Sequence, residues 1–177
     1  SGCNNTHSSN HDFITLSAYE TLNNQIENCQ TSGNLYTSYQ TDVFNGNIIS
    51  NCTGQNDEMI NIDHSFNFDN NQFISNANGN YSLIELGGPQ TEDGFLQCSN
   101  NEITDCQSGD ILVISTDNDS LHISNNSITD IIYTDKLVYL NGTNISFHEN
   151  TINNGSGCQS SQPGVYIYNA GGISSIT

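Results

Sequence analysis

The sequence predicts an all-β chain wound as a right-handed parallel β-helix, a solenoid of about six or seven coils with a period of about 24 residues. Three observations predict it. A ten-residue template, LHISNNSITD at 121–130, recurs as LQCSNNEITD at 96–105 and ISFHENTINN at 145–154, with looser copies FNFDNNQF at 66–73, FNGNII at 44–49 and LNNQI at 22–26. The last apolar residue of each copy (Ile26, Ile49, Phe73, Ile103, Ile128 and Ile152) recurs at steps of 23, 24, 30, 25 and 24 residues. Two positions before each of these anchors stands an asparagine: Asn24, Asn47, Asn71, Asn101, Asn126 and Asn150. Asparagine is 29 of the 177 residues, too few for all six coincidences to come from composition. A fixed period in the twenties marks stacked repeats, in which each coil buries the face of its neighbour.

Each coil also carries an earlier strand. The segments FITL at 13–16, LY at 35–36, MINI at 59–62, YSLIEL at 81–86, ILVI at 111–114, LVYL at 137–140 and VYIY at 165–168 are short, β-branched or aromatic, and bounded by Gly, Asn and Asp. No stretch offers a helical period, and none is read as a helix. Residues 1–11 form a polar segment without pattern, and 12–177 form the β-helix. The long step between Phe73 and Ile103 is placed in GGPQTEDG at 87–94, a loop protruding between two strands. Parallel stacking turns the asparagine column into a ladder inside a bend, each amide accepting from one neighbour and donating to the other. Two positions after the anchors come Asn28, Asn51, Ser75, Asp105, Asp130 and Asn154, all small and polar, as a second bend requires.

Hydrophobic content is only 33%, which a thin continuous core tolerates; the phased apolar positions argue against disorder. Nineteen acids face one base, Lys136, for a net charge of -18. Phosphate backbones are held by Lys and Arg through counterion release, so nucleic acid is excluded, and anionic membranes and sulfated glycans are disfavoured. The acidity reads as the self-repelling surface of an extracellular or cell-surface protein. No apolar run approaches a membrane span, so no membrane insertion is expected. The sequence opens without a signal peptide and breaks off at Gly171-Gly-Ile-Ser-Ser-Ile-Thr in mid-pattern. Either the native chain continues there or that end is buried against another copy, since an open strand edge invites stacking.

Six cysteines, an even number, point to an oxidising compartment, and no C-x-x-C pair announces a zinc site. Cys29 and Cys52 each follow their anchor by three residues in successive coils, about 4.8 Å apart when stacked, within disulfide reach. They are the expected pair. Cys106 holds the same position with Asn76 intervening, which leaves Cys98 and Cys158 as its candidates, while Cys3 would tie down the polar segment.

FDNN at 68–71 and FHEN at 147–150 resemble the F-x-x-N repeat of the polymorphic outer-membrane adhesins, and Gly171-Gly-Ile resembles their G-G-A-I element. In two coils Cys98 and Ile123 replace the Phe. The resemblance spans roughly two thirds of the chain and implies a surface-exposed β-helix that works as an adhesin.

Parallel β-helices also include polysaccharide-degrading enzymes. A lyase needs a base, and Lys136 alone supplies that poorly. A retaining hydrolase needs two carboxyls about 5 Å apart. Asp105 and Asp130, stacked in adjacent coils, are the runner-up catalytic pair, although they also continue a polar bend column. Tyr133, Tyr139, Tyr166 and Tyr168 are the candidate sugar platforms of that reading. Asp117-Asn-Asp119 resembles the start of a calcium loop without its Gly and distal Glu, so no cofactor is expected beyond weak calcium binding. His7 and His11 are spaced for a metal only on a helix. His64, His122 and His148 lie at unequal offsets from their anchors, so all five histidines read as surface residues and no metal site is expected.

Eight N-x-S/T sequons begin at Asn4, Asn51, Asn80, Asn118, Asn125, Asn141, Asn144 and Asn154. Composition alone yields a similar number, but none coincides with a ladder position. The sequence therefore points to a non-enzymatic, secreted or surface structural and adhesive glycoprotein module, self-associating end to end as a filament or meeting other surface proteins and glycans. A carbohydrate-active enzyme or glycan-binding domain is the alternative.

Overall fold

A computed structural model describes residues 13–16, 19–89, 94–116, 120–157, 164–169 and 173–176. Among them every regular element is a strand, and all pairings are parallel, giving a β-solenoid of about six turns with a period near 24 residues. Four sheets form its walls, met in the same order in each coil. The first contains Ile14–Leu16, Tyr36–Ser38, Ile60–Ile62, Ile84–Gly87, Leu112–Ser115, Val138–Gly142 and Val165–Asn169. The second contains Glu20–Leu22, Val43–Asn45, Asn67–Asp69, Phe95–Ser99, Ser120–Ser124, Asn144–His148 and Ile173–Ile176. The third contains Gln25–Glu27, Ile48–Ser50, Gln72–Ile74, Glu102–Thr104, Ser127–Thr129 and Thr151–Asn153. The fourth is narrower: Thr53–Gly54, Ala77–Asn78, Gln107–Ser108 and Ile132–Tyr133.

The anchors form the middle column of the third sheet, Ile26 to Ile49 to Phe73 to Ile103 to Ile128 to Ile152 in direct register. Alternation along such short strands sends one set of side chains inward and the next outward. Phe44, Phe68, Cys98 and Ile123 fill the second sheet's inner column, and Tyr36, Ile60, Ile84, Leu112 and Val138 that of the first. Phe44 stacks on Phe68 at 5.1 Å between centroids, and Tyr36 meets Phe44 edge-on at 5.2 Å. Leu35, Met59 and Ile111, read from sequence as strand starts, and Leu83, read as the third residue of its strand, are buried corner residues just ahead of the first-sheet strands.

The template also explains the corners. The third sheet is flanked by two columns of left-handed residues. Asn23, Gly46, Asn70, Asn100, Asn125 and Glu149 precede it, and Asn28, Asn51, Ser75, Asp105, Asp130 and Asn154 follow it, all with φ between 52° and 68°. Asparagine and aspartate tolerate this region because a short polar side chain bonds locally, whereas most L-residues lose about 1–2 kcal/mol there. In each Asn-Asn pair, then, the first residue turns the chain and the second enters the ladder. The extra length of the long coil lies between Ile84–Gly87 of the first sheet and Phe95–Ser99 of the second, where the 87–94 loop was expected. Residues 90–93 of that loop, like the 1–11 segment, lie outside the described residues.

Candidate functional site

Inside the bend the ladder is continuous. Each Nδ2 donates to the Oδ1 of the next coil's asparagine: Asn24 to Asn47 at 3.0 Å, Asn47 to Asn71 at 3.2 Å, Asn71 to Asn101 at 3.0 Å, Asn101 to Asn126 at 2.9 Å, and Asn126 to Asn150 at 2.9 Å. The same Oδ1 atoms accept the backbone N–H of the preceding ladder residue at 2.9–3.0 Å. From Asn47 onward each Nδ2 gives its second proton to a second-sheet carbonyl of the coil before, for example Asn101 to Phe68 at 2.8 Å. Asn47, Asn71, Asn101 and Asn126 are buried, so each internal amide spends two donations and two acceptances out of contact with water. The sequons divide from them cleanly. Asn51, Asn80, Asn125, Asn144 and Asn154 are exposed and Asn141 is half-buried, while Asn4 and Asn118 lie outside the described residues.

The corner leading into the first sheet carries a row of acids. Asp57 and Glu58, then Asp110 and Asp135, lie at this corner, and Glu85 of the coil between them lies just past it, within the strand Ile84–Gly87. Burial, a hydrogen bond with Asp57, and the charges of Asp57 and Glu85 push the Glu58 carboxyl up to about 7. Burial and the charges of Asp110, Asp57 and Asp63 raise Glu85 as well, against a hydrogen bond from Ser82. Asp110 is raised by burial despite the Lys136 backbone N–H it accepts at 2.7 Å. Lys136 donates to Asp135 at 2.7 Å and lies 5.6 Å from the Tyr139 ring centre; it is raised chiefly by that Asp135 bond. Asp110 and Asp135 each follow their anchor by seven residues, but Asp57, Glu58 and Glu85 stand at other offsets because the fourth-to-first corner varies in length, so the row as a whole escaped the sequence reading.

Three of the four candidate sugar platforms differ from expectation. Tyr133 is a core residue, 9% exposed. Tyr139 and Tyr166 stack on each other at 5.6 Å with planes 6° apart, so their facing surfaces cover one another rather than lie open as one platform. Tyr168 is 55% exposed. The runner-up catalytic pair does lie in adjacent coils, but each carboxylate engages a neutral neighbour: Ser75 donates to Asp105 at 2.8 Å and Asn154 to Asp130 at 3.0 Å. Both are exposed bend residues that continue a polar column.

No disulfide is found among the described residues: Cys29, Cys52, Cys98 and Cys106 are buried thiols. The expected Cys29–Cys52 bridge is not formed, and both residues are thiols. The physical reason lies in the left-handed bend before each cysteine. It turns Sγ back to a carbonyl of its own coil, Cys29 to Glu27 at 3.5 Å, Cys52 to Ser50 at 3.3 Å and Cys106 to Thr104 at 3.2 Å. Burial pushes Cys52 and Cys106 up to about 11 and raises Cys98 further. Cys98 stands between Phe68 and Ile123 in the second-sheet core, a different wall from Cys106. Cys3 and Cys158, the Asp117–Asp119 motif, His7 and His11 lie outside the described residues.

The histidines give a second difference. His122 and His148 touch on the outer face of the second sheet, ring centroids 4.8 Å apart and planes at 84°. His122 is in register with Ser146, and His148 follows two residues later in the same strand. Equal offsets detect columns, and this contact runs diagonally between two columns. Phe95 extends the row, 6.0 Å from His122. His64 is apart from them, its Nδ1 3.4 Å from the Gly88 carbonyl oxygen. Compared with protein-family models, with characterised proteins and with solved structures, the chain finds no match.

Proposed function

We propose that the chain is a non-enzymatic structural and adhesive module of an extracellular surface: a rigid, acidic β-solenoid glycoprotein that meets other surface proteins, glycans or further copies of itself. The separation of its asparagines carries the reading. Buried amides hold the coils together, and every described sequon asparagine stands at the outer surface, where attached glycans would leave the stack undisturbed. The F-x-x-N resemblance at 68–71 and 147–150 agrees with an adhesive role, with Phe68 buried in the core and Asn71 and Asn150 in the ladder. The engagement of Asp105 and Asp130 by neutral neighbours favours a structural role for both. Self-association would run along the axis. At the first described coil a cavity of about 270 Å³, lined by Ile14, Leu16, Ile26, Tyr36 and Phe44 among others, is the apolar surface it would cover.

Electron microscopy of material from a eukaryotic secretory host, before and after enzymatic deglycosylation, tests this reading. Glycosylated rods that join into fibres are expected. Unglycosylated single rods would sink both the glycoprotein and the filament parts. One arrangement favours the carbohydrate-active alternative: burial and the adjacent Asp57 push the Glu58 carboxyl up to about 7, which gives it the character of a general acid beside a second carboxylate. A polysaccharide screen in which cleavage disappears with Glu58→Gln would establish it over the structural reading.

A further inference from the structure

We propose that His122 and His148 form a two-histidine anchor for one borderline divalent cation of the zinc, nickel or copper(II) class, on the outer face of the second sheet. The inference is independent of the function proposed above and departs from the expectation that all histidines are plain surface residues. It starts from the strand register. Ser120–Ser124 and Asn144–His148 pair over five residues, which fixes the two backbones that carry the rings. Outward alternation places His122, Ser146 and His148 on the same side, with Leu121, Ile123 and Ile145 packed in the core behind them.

The separation of the rings suits chelation. An imidazole nitrogen binds such an ion at about 2.1 Å, which puts each ring centre about 3.2 Å from the metal. A centroid separation of 4.8 Å then corresponds to a nitrogen–metal–nitrogen angle of about 97°, between the octahedral and tetrahedral values. Rotation of the His122 ring about its Cβ–Cγ bond leaves its centre in place and would turn a nitrogen toward the ion, while the His148 ring keeps its Ser146 contact. Ser146 supplies the supporting contact. With His148 Nδ1–H donated to Ser146 Oγ at 3.2 Å, Nε2 keeps its lone pair for a metal, the hydroxyl standing where a carboxylate, carbonyl or water orients most metal-bound histidines. Both histidines are half-buried, so they are partly desolvated yet reachable, and a net charge of -18 concentrates cations at the surface. Among the described residues no third His, Cys, Asp or Glu joins them, so water would complete the coordination shell.

The test is calorimetric titration of zinc chloride into the tag-free chain, in calcium-containing buffer so that diffuse binding to the acids is already saturated. One ion per chain is expected. His122→Gln and His148→Gln each weaken it at least about tenfold, and His64→Gln leaves it unchanged. Circular dichroism and thermal unfolding of the same variants, unchanged without zinc, separate loss of a ligand from loss of fold. No saturable zinc binding, or equal binding by the double His122→Gln/His148→Gln variant, overturns the proposal.

Discussion

Replacing Asn101 with alanine is expected to cost about 3–5 kcal/mol of stability. The side chain makes four hydrogen bonds to nitrogen and oxygen partners, accepting from the Asn71 backbone N–H and from Asn71 Nδ2, both at 3.0 Å, and donating to Asn126 Oδ1 at 2.9 Å and Phe68 O at 2.8 Å, besides a weaker one to Cys98 Sγ at 3.4 Å. Truncation strands the buried Asn71 N–H, at about 1–3 kcal/mol, and removes three further bonds worth about 1 kcal/mol each where a partner remains. Asn24, at the exposed end of the ladder, donates its backbone N–H and Nδ2 to Asn47 Oδ1; Asn24→Ala keeps the first bond and loses only the second, which solvent can replace, so it is expected to cost less than about 1 kcal/mol. Denaturant unfolding followed by circular dichroism, comparing midpoints at constant slope, measures the difference. Equal costs for the two substitutions would refute the ladder as a source of stability.

Glu149 holds φ at 55° in a column otherwise made of Asn and Gly, so Glu149→Gly is expected to stabilise by about 1 kcal/mol, read as a raised melting temperature. Glu58, Glu85 and Asp110 are all raised in the folded chain, so their contribution is fully present below their unfolded values and is lost as pH rises, for Glu58 through about 7. Melting temperature should therefore fall between pH 5 and pH 8. Glu58→Gln should flatten that fall by about 1–2 kcal/mol, after a discount for the carboxyl's partial exposure. The raised, buried thiols of Cys52, Cys98 and Cys106 are expected to resist alkylation in the native state and react on unfolding, as peptide mapping by mass spectrometry would show.

What could be read in advance was whatever repeats at a fixed offset. The anchors and the ladder asparagines obey one spacing because both lie on the third wall or its entry, where every coil has the same length. The left-handed column at Asn23, Asn70, Asn100 and Asn125 was present in each Asn-Asn pair, and positive φ supplies its meaning. The acid row beyond Asp110 and Asp135 and the His122–His148 contact were not legible, the first because its corner changes length among the coils, the second because it is diagonal. The cysteines show the limit of spacing alone. Cys29 and Cys52 do occupy equivalent positions in successive coils, yet distance does not set the direction of Sγ, and the bend directs it to a backbone carbonyl.

The same geometry decides which positions can meet a partner. Each coil commits its inward residues to the core and its corners to left-handed turns and the ladder, leaving the outward residues of strands two to five residues long. Those residues repeat along the axis at the strand spacing of about 4.8 Å, as the Tyr139–Tyr166 pair and the Thr104–Thr129 hydroxyl contact at 3.1 Å illustrate. A partner therefore meets a linear array rather than an enclosed pocket. Arrays of this kind suit extended ligands, such as a glycan chain or the flank of a second rod, because each added coil contributes a further contact at one fixed interval and raises avidity without new chemistry. The side chains in such an array change from coil to coil, as the outward column Asn61, Glu85, Val113 and Tyr139 shows, so the spacing is what repeats and the chemistry at each step is what a partner would select.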